Sequence, residues 1–361
     1  MHKVLVIGAG KIGSLIAFLL AHSNDYHVYL ADIHEQNPHA KTLDALPHFN
    51  YSKLDANDEN HIASYIKQHQ IEAIISSLPY YANLPIAKIA AEYNLHYFDL
   101  TEDVETTKAV DKLAKQAKSV FVPQCGLAPG FISIIANDLM RHFSVLDTVK
   151  MRVGALPINI SNALQYSLTW STDGLINEYG NACYAVQDGK EVSLQPLEGL
   201  EQIEIDGLTY EAFNTSGGIG SLVQTYAGKI KNLSYKTIRY PGHCQKIKFL
   251  MNDLKLNDDR ETLKRIFEHA IPQTLQDVVL VYVSVNGEQN QQFVEESYVK
   301  KFYPETIHGQ LWSAIQLTTA SSICSVMDIV LNHTHQYQGL VHQEAFSLDD
   351  MMNNRFGKYF N

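Results

Sequence analysis

The sequence predicts an α/β fold in two parts: a parallel sheet flanked by helices at the N-terminal end, then an α+β domain built on a mixed sheet. Three patterns carry that expectation. β-Branched runs and helix-period segments alternate from Lys3 to Pro123, as parallel βαβ units with right-handed crossovers require. After a helical stretch from Phe131 to Phe143, the pattern changes to strand-like runs with turn residues between them and few helices. The apolar segment from Leu311 to Leu331 contains Gln316, several Ser and Thr, and Asp328, so it reads as a buried helix and not a membrane span. Such a helix needs a large surface to cover, which the first domain is expected to offer. The expected domains are 1–125, with about 311–361 returning to it, and 126–310 as a substrate and dimerisation domain.

In the first part, strands are expected at residues 4–7, 27–31, 49–54, 72–77, 96–100 and 119–123. Helices are expected at 14–21, 61–69, 83–93 and 104–117. In the second part, strand-like runs cover 148–153, 162–170, 203–205, 234–239 and 278–285.

Composition removes several function classes. The chain has 361 residues and 45% apolar content, enough to bury a large core. A formal charge of −11 without any Lys/Arg-rich block argues against nucleic acid or an anionic membrane as partner. The strand pattern starts at Lys3 without a charged-then-apolar leader, so a cytoplasmic chain is expected. Cys125, Cys183, Cys244 and Cys324 are scattered, with no C-x-x-C pair, and read as free thiols. None of the sixteen histidines stands in a metal-ligating spacing; His333-Thr-His335 reads as a polar helix end, and no metal is expected.

The strand ending at Ile7 runs straight into Gly8-Ala9-Gly10-Lys11-Ile12-Gly13, and the next strand ends at Asp32, nineteen residues beyond Gly13. Gly8 permits a tight turn, Gly10 lets backbone approach a pyrophosphate, and Gly13 lets helix and strand pack closely. The phosphates would sit on the N–H groups and positive dipole end of the helix that starts at Lys11 and Ile12. Asp32 is placed to accept hydrogen bonds from ribose hydroxyls and to repel a 2′-phosphate, and Ile33-His34-Glu35 supplies no arginine to hold one. A Rossmann-type cofactor domain is expected, with NAD favoured over NADP and Asp55 near the adenine. Ligands of parallel sheets bind beyond the carboxyl ends of the strands. The loops there are Ser76-Ser77-Leu78-Pro79-Tyr80-Tyr81, Asp99-Leu-Thr101-Glu102 and Gln124-Cys125-Gly126-Leu127-Ala-Pro-Gly130, expected to face nicotinamide and substrate.

Taken in order and spacing, the opening glycine motif, Ser77-Leu-Pro-Tyr-Tyr-Ala-Asn83, Phe98-Asp-Leu-Thr-Glu102, Cys125-Gly-Leu-Ala-Pro-Gly130 and Arg239-Tyr-Pro-Gly-His243 resemble the saccharopine dehydrogenase-like family of amine oxidoreductases. Within it the likeness is to L-lysine 6-dehydrogenases. It spans residues 1 to about 335; the last 25 or so residues show no match. The resemblance implies NAD(P)-linked oxidation at a C–N bond of lysine or a lysine adduct. The first expectation is oxidative deamination of lysine at the ε-carbon, and the alternative is a saccharopine-type secondary amine.

Chemistry then distributes the roles. Arg239 suits a substrate α-carboxylate, because a guanidinium fork matches it bidentately. Asp99 would attract the ammonium or take a proton; as a helix cap it suits less well than Thr101 or Asp103. Tyr80, Tyr240 and Thr101 are expected to contact substrate, with Tyr80 and Tyr81 positioned to stack. Asp99, His243 and Glu102 all remain candidates for the general base. Cys125 has no base tied to it and reads as a small residue lining the cofactor pocket. A dicarboxylate substrate would need a second cation, for which Arg152, Lys229 and Lys231 are candidates. The non-enzyme reading, a regulatory or potassium-gating protein that binds the dinucleotide without catalysis, is disfavoured by the full second domain. A homodimer is expected, because such sheet domains often lend a dimer interface.

Overall fold

A computed structural model describes residues 1–36 and 43–361, which divide into two compact units: Met1–Gly130 with Gln316–Asn361, and Phe131–Ile315. The sequence places the first boundary at 125. The structure carries it to Gly130, because Gly126 and Gly130 bridge to each other and close a small loop on the first unit.

The first unit opens with β1 (His2–Ile7), α1 (Lys11–His22), β2 (Tyr26–Asp32) and β3 (Phe49–Lys53). Then follow α2 (Glu59–His69), β4 (Ala73–Ser76), α3 (Asn83–Glu92), β5 (His96–Asp99), α4 (Val104–Ala114) and β6 (Val120–Val122). The strands of this sheet are parallel, and β4 and β6 are buried along their whole length, as strands covered on both faces must be. Asp58 and Asp103 cap α2 and α4 through His61 N–H and Thr106 N–H, which settles the cap of α4 on Asp103.

The second unit contains α5 (Phe131–Met140), β7 (Val145–Pro157), α6 (Thr172–Gly180), β8 (Cys183–Gln187), β9 (Lys190–Leu194), β10 (Glu201–Ile205), β11 (Leu208–Asn214) and α7 (Leu222–Tyr226). It continues with β12 (Ile230–Arg239), α8 (His243–Lys248), α9 (Arg260–Ala270), β13 (Asp277–Gln289), β14 (Gln292–Phe302), β15 (Glu305–Ile307) and β16 (Gln310–Trp312). The main sheet has the order β10-β11-β12-β7-β13-β14, with β7 parallel to β12 and antiparallel to β13, so it is mixed as the sequence predicts. One face packs Phe213, Cys244, Ile247, Leu263 and Phe267 with the helices; the other gathers Leu156, Tyr210, Ile238 and Leu280.

Two sequence expectations fail here. Residues 162–170 form no strand, because Asn162 staples the chain into a turn: its Nδ2 donates to Tyr166 O, and Gln165 N–H donates to Asn162 O. Gln165 adopts φ 54°, which no strand allows. The second unit also carries more helix than expected; α9 buries little beyond Leu263 and Phe267, so its apolar stripe is thin in the sequence.

The chain then forms α10 (Ala314–Asn332), β17 (Gly339–Leu340) and α11 (Leu348–Asn353). α10 is apolar and long enough to cross a membrane, yet Leu317, Ala320, Ile323, Cys324 and Met327 are at most 2% exposed, so it is a core helix. β17 adds to the sheet beside β6, giving the order β17-β6-β5-β4-β1-β2-β3. The closing residues are tied down through Asp328, which is 6% exposed. Its carboxylate accepts from Tyr26 Oη at 2.5 Å, from Asn354 Nδ2 at 2.7 Å, and from Arg355. Removing a buried charge partner leaves its donors unsatisfied. Asp328→Ala should therefore lower unfolding free energy by about 2–3 kcal/mol, read from urea midpoints, while Tyr26→Phe should lose about 1 kcal/mol.

Candidate functional site

In the first unit, β1–β2–β3 run outward one way and β4–β5–β6 the other, so the strand order reverses between β1 and β4. Ligands of open parallel sheets sit at that switch point, beyond the carboxyl ends of the strands. The glycine loop follows β1 there, and Ser77-Leu78-Pro79 follows β4. The two are fastened together, because Ser77 N–H donates to Ile7 O at 2.9 Å.

Each glycine has a different reason to be there. Gly8 has φ +99°, and a Cβ on it would lie 2.7 Å from Ser77 O. A Cβ on Gly13 would lie 1.8 Å from Gly8 O, so only glycine lets α1 pack against the loop. A Cβ on Gly10 would meet no atom within 4 Å. Among the described residues the space above Gly10 is therefore open, and their packing does not require glycine at that position. Among the described residues Gly10 gives the N-terminus of α1 no side-chain cap, and its first turn holds no acidic residue, unlike α2 and α4. An uncapped helix N-terminus opening on free space suits a pyrophosphate. Lys11 and Ile12 form its first turn, with the Lys11 carbonyl held by Gln316 Nε2 at 3.0 Å.

Asp32 ends β2 with its carboxylate accepting from Ala9 N–H at 2.7 Å and His34 N–H at 3.2 Å. The acid is thereby fixed beside the glycine loop, where ribose hydroxyls of a dinucleotide would reach its remaining lone pairs. Asp55 instead accepts from the backbone and side chain of its neighbour Asn57 and shapes the turn into α2. Tyr80 and Tyr81 form a helical turn after Pro79 and pack edge to face at 5.5 Å, with Tyr81 64% exposed.

Asp99 is fully buried at the end of β5. It accepts from Tyr97 Oη at 2.9 Å, Thr101 N–H at 3.0 Å and Gln124 N–H at 2.9 Å, while its carbonyl accepts from Cys125 N–H. Burial pushes its carboxyl up to about 6, against the pull of those donors. Asp99, expected from the sequence to meet the substrate ammonium or take a proton, therefore ties the Thr101 and Gln124 segments together. Beside it Thr101 is 2% exposed, and its Oγ1 has no hydrogen-bond partner among the described residues. An orphaned buried hydroxyl at the carboxyl edge of the sheet is one a ligand atom could satisfy. Cys125, Gly126 and Leu127 are buried too, with Cys125 Sγ against Val122 O and Gln343, and burial raises that thiol far above its ordinary range. It is no thiolate nucleophile.

In the second unit, Arg239 is 2% exposed, and its guanidinium is occupied. Nε donates to Tyr179 Oη at 2.8 Å, Nη1 to Thr237 Oγ1 at 2.6 Å and Ile238 O at 2.9 Å, and Nη2 to Glu178 at 3.3 Å. Burial raises Glu178 to about 7, with Arg239 opposing the shift. Tyr179 Oη donates a hydrogen bond to His243 Nε2 at 3.0 Å, and His243 Nδ1 donates to Leu164 O at 2.7 Å. That chain of donors needs a neutral imidazole, and burial with the Arg239 charge pushes His243 down to about 3. His243, expected from the sequence as a candidate base, is thus buried with both ring nitrogens hydrogen-bonded inside the second unit.

Tyr240 follows Arg239 on the strand and so points to the opposite face, stacking on Tyr210 and donating to Pro157 O. It does not join Arg239. Arg152 also lies on that opposite face, paired with Glu201 and set over the Tyr282 ring. Lys231 pairs with Asp147 eight residues up β12, roughly 26 Å from Arg239 at strand rise. None of the three expected cations, Lys229 included, is gathered with Arg239. The residues that do surround it, Tyr166, Glu178 and Tyr179, lie in a stretch read as strand and loop, and no spacing in the sequence marks them. Glu211, also missed, accepts from Gly242 N–H and Cys244 N–H and fixes the turn after Arg239.

Switch-point sheet, glycine loop and acid-tipped second strand define a dinucleotide-binding protein with a second mixed-sheet unit. Residues 4–122 match the saccharopine dehydrogenase NADP binding domain, and residues 126–359 match the saccharopine dehydrogenase C-terminal domain. The chain belongs to the saccharopine dehydrogenase family, and the match includes nearly all of the closing residues that the sequence alone left unassigned. A saccharopine dehydrogenase [NADP(+), L-glutamate-forming] of Pyricularia oryzae is 24% identical over 262 residues, covering 70% of this chain and 57% of its own length. One of Schizosaccharomyces pombe, with the same name, is 20% identical and covers 56% of this chain and 45% of its own length. The chain thus spans about half the length of the curated relatives it matches. A solved apo saccharopine dehydrogenase (L-Glu forming) of Saccharomyces cerevisiae shares the fold at TM-score 0.78 and 16% identity, covering 100% of this chain and 98% of that one.

Two outcomes test the site. Gly10→Ala should leave the thermal midpoint nearly unchanged and weaken dinucleotide binding at least about tenfold, whereas Gly13→Ala should lower both, measured by calorimetry and cofactor fluorescence titration. Because Asp99 is harder to ionise folded than unfolded, its contribution to stability should decline as pH rises from about 4 to about 6. Asp99→Asn should remove that slope from the urea midpoints.

Proposed function

We propose that this chain is a nicotinamide-dependent oxidoreductase acting at a C–N bond of an amino acid, with a saccharopine-type secondary amine as substrate. The observation that carries the reading is the open cradle above Gly10 at an uncapped helix N-terminus, in a chain that matches both saccharopine dehydrogenase domains. The relatives' names support the secondary amine over ε-deamination of lysine, the reading the sequence placed first.

The bound nicotinamide supplies the hydride acceptor for the carbon next to the amine. Loss of that hydride and of the amine proton, which passes to solvent, leaves a substrate imine that takes up water and separates into an amino acid and an aldehyde. The chain's own residues position these partners. Backbone around Gly10 and the start of α1 would hold the pyrophosphate and Asp32 the ribose, with Ser77–Pro79 and Tyr80 on the side of the nicotinamide. Thr101 Oγ1 offers a hydrogen bond to ligand, and Asp99 keeps the Gln124–Gly130 loop in place.

NAD is the finer proposal for the cofactor, and here the chain and its relatives point in different directions. The family domain and the relatives carry NADP in their names. This chain sets a fixed carboxylate at Asp32 against a 2′-phosphate, with Ile33-His34-Glu35 beyond it.

Turnover decides both points. With saccharopine, reduced cofactor should form together with glutamate; ammonia release from L-lysine instead would return the first reading. NAD should exceed NADP in kcat/KM by about tenfold or more, and Asp32→Ala/Ile33→Arg should reverse the ratio.

A further inference from the structure

The main sheet of the second unit collects positive charge on the face opposite Arg239. β7 and β12 run parallel and set Arg152 directly opposite Lys236. Like charges opposite each other on paired strands repel, so such a pair needs compensation. Lys150 stands two residues before Arg152 on β7 and therefore on the same face. Its neighbours in register are Ser234 on β12 and Ser284 on β13, which bring no negative charge.

One carboxylate answers these three cations. Glu201 of β10 accepts from Arg152 Nε at 2.8 Å and lies 3.5 Å from Lys236 Nζ. Among the described residues no other acid pairs with Arg152 or Lys236, and none pairs with Lys150. Three cations against one carboxylate leave two positive charges in excess. Burial and the Arg152 and Lys150 charges push the Lys236 ammonium below the usual lysine range, against the pull of Glu201.

The donors are not all used either. Arg152 is 5% exposed, and its Nη1 is buried without a hydrogen-bond partner among the described residues. Its guanidinium lies over the Tyr282 ring, with Cζ 4.8 Å from the ring centre, which holds its plane while Nε serves Glu201. Arg239 on the other face is the opposite case, with a partner on each of its three nitrogens. A buried cationic donor left unmade is costly, and an ion or ligand that completes it recovers that cost. Lys236 Nζ donates to Gly199 O at 2.6 Å, so Gly199 and Glu201 together leave one of its three donors over.

We propose that Lys150, Arg152 and Lys236 form a binding site for a compact dianion of the phosphate type, as the free ion or as a monoester. Strand rise and strand spacing put the three Cα atoms about 5–8 Å apart, so one small anion can meet all three, whereas the ends of a long dicarboxylate would not. Guanidinium and ammonium groups are the usual partners of phosphate oxygens. The site uses no residue of the glycine loop and does not rest on the catalytic reading.

Inorganic phosphate, titrated by calorimetry into the full-length chain at constant ionic strength, should bind saturably with a dissociation constant of about 1 mM or below. Methyl phosphate in a parallel arm shows whether the ester or the free ion is held more tightly. Lys150→Met and Lys236→Met should each weaken binding at least about tenfold. Glu201→Gln should tighten it, because the one opposing charge is gone. Lys231→Met, on the same strand but paired with Asp147, should bind like the parent. Lys150 is exposed, so its variant keeps the test open even where Lys236→Met lowers the thermal midpoint. Saturating NADH separates this site from phosphate resting on the start of α1, since the cofactor should leave binding here intact. No saturable binding, binding that NADH abolishes, or binding unchanged in Lys150→Met and Lys236→Met would overturn the proposal.

Discussion

The ligand edge of the first unit depends on one buried carboxylate. Asp99 stands at the end of β5 and receives donors from its own strand, from the residue two further on and from the loop after β6. A carboxylate accepts several hydrogen bonds but donates none when ionised, which makes it suited to drawing together backbone N–H groups that would otherwise be orphaned by the ends of strands. Burial disfavours its charge while the three donors favour it, so Asp99 sits near the balance of the two. Without it, Gln124 N–H and Thr101 N–H would face each other with no acceptor, and the path from β6 into the Gly126–Gly130 loop would lose its fixed origin. The loop in turn depends on Gly130, where a Cβ would stand 1.9 Å from Gly126 O.

The first unit was largely legible in the sequence because its rules are local. Alternating buried runs make parallel strands, the three glycines have distinct steric jobs, and Asp32 falls where the second strand must end. The second unit was legible only in class. Its long strands showed, but the turn stapled by Asn162 looked like a strand because Leu164, Tyr166, Leu168 and Trp170 alternate. Nothing local reports that the Asn162 side chain takes both backbone polar groups of Tyr166.

The surroundings of the candidate residues were hidden for a related reason. Arg239, Asp99 and His243 were picked by chemistry, and each proved to have its polar atoms engaged inside its own unit. Charge type says what a group can bind; it does not say whether the fold has already bound it. Tyr240 shows the simpler limit, since strand alternation alone sends it to the face opposite Arg239. Conversely, Glu178 and Tyr179 become visible only when α6 is brought against β12. The orphaned Thr101 hydroxyl is likewise a property of surroundings, not of sequence.

The return of the chain through β17 has a consequence for how the molecule is made. β17 lies beside β6, and Asp328 fastens Tyr26 to Asn354 and Arg355, residues more than 300 positions apart at the extremes. During synthesis, β6 is made long before its neighbour exists and spends that interval as an open edge, while the whole of the second unit is being added. The second unit is continuous and can finish alone; the first has to wait for residues beyond 315. A nascent chain therefore completes its inserted part before its cofactor part, and a ribosome stalled in α10 would display an unfinished parallel sheet as a target for chaperones.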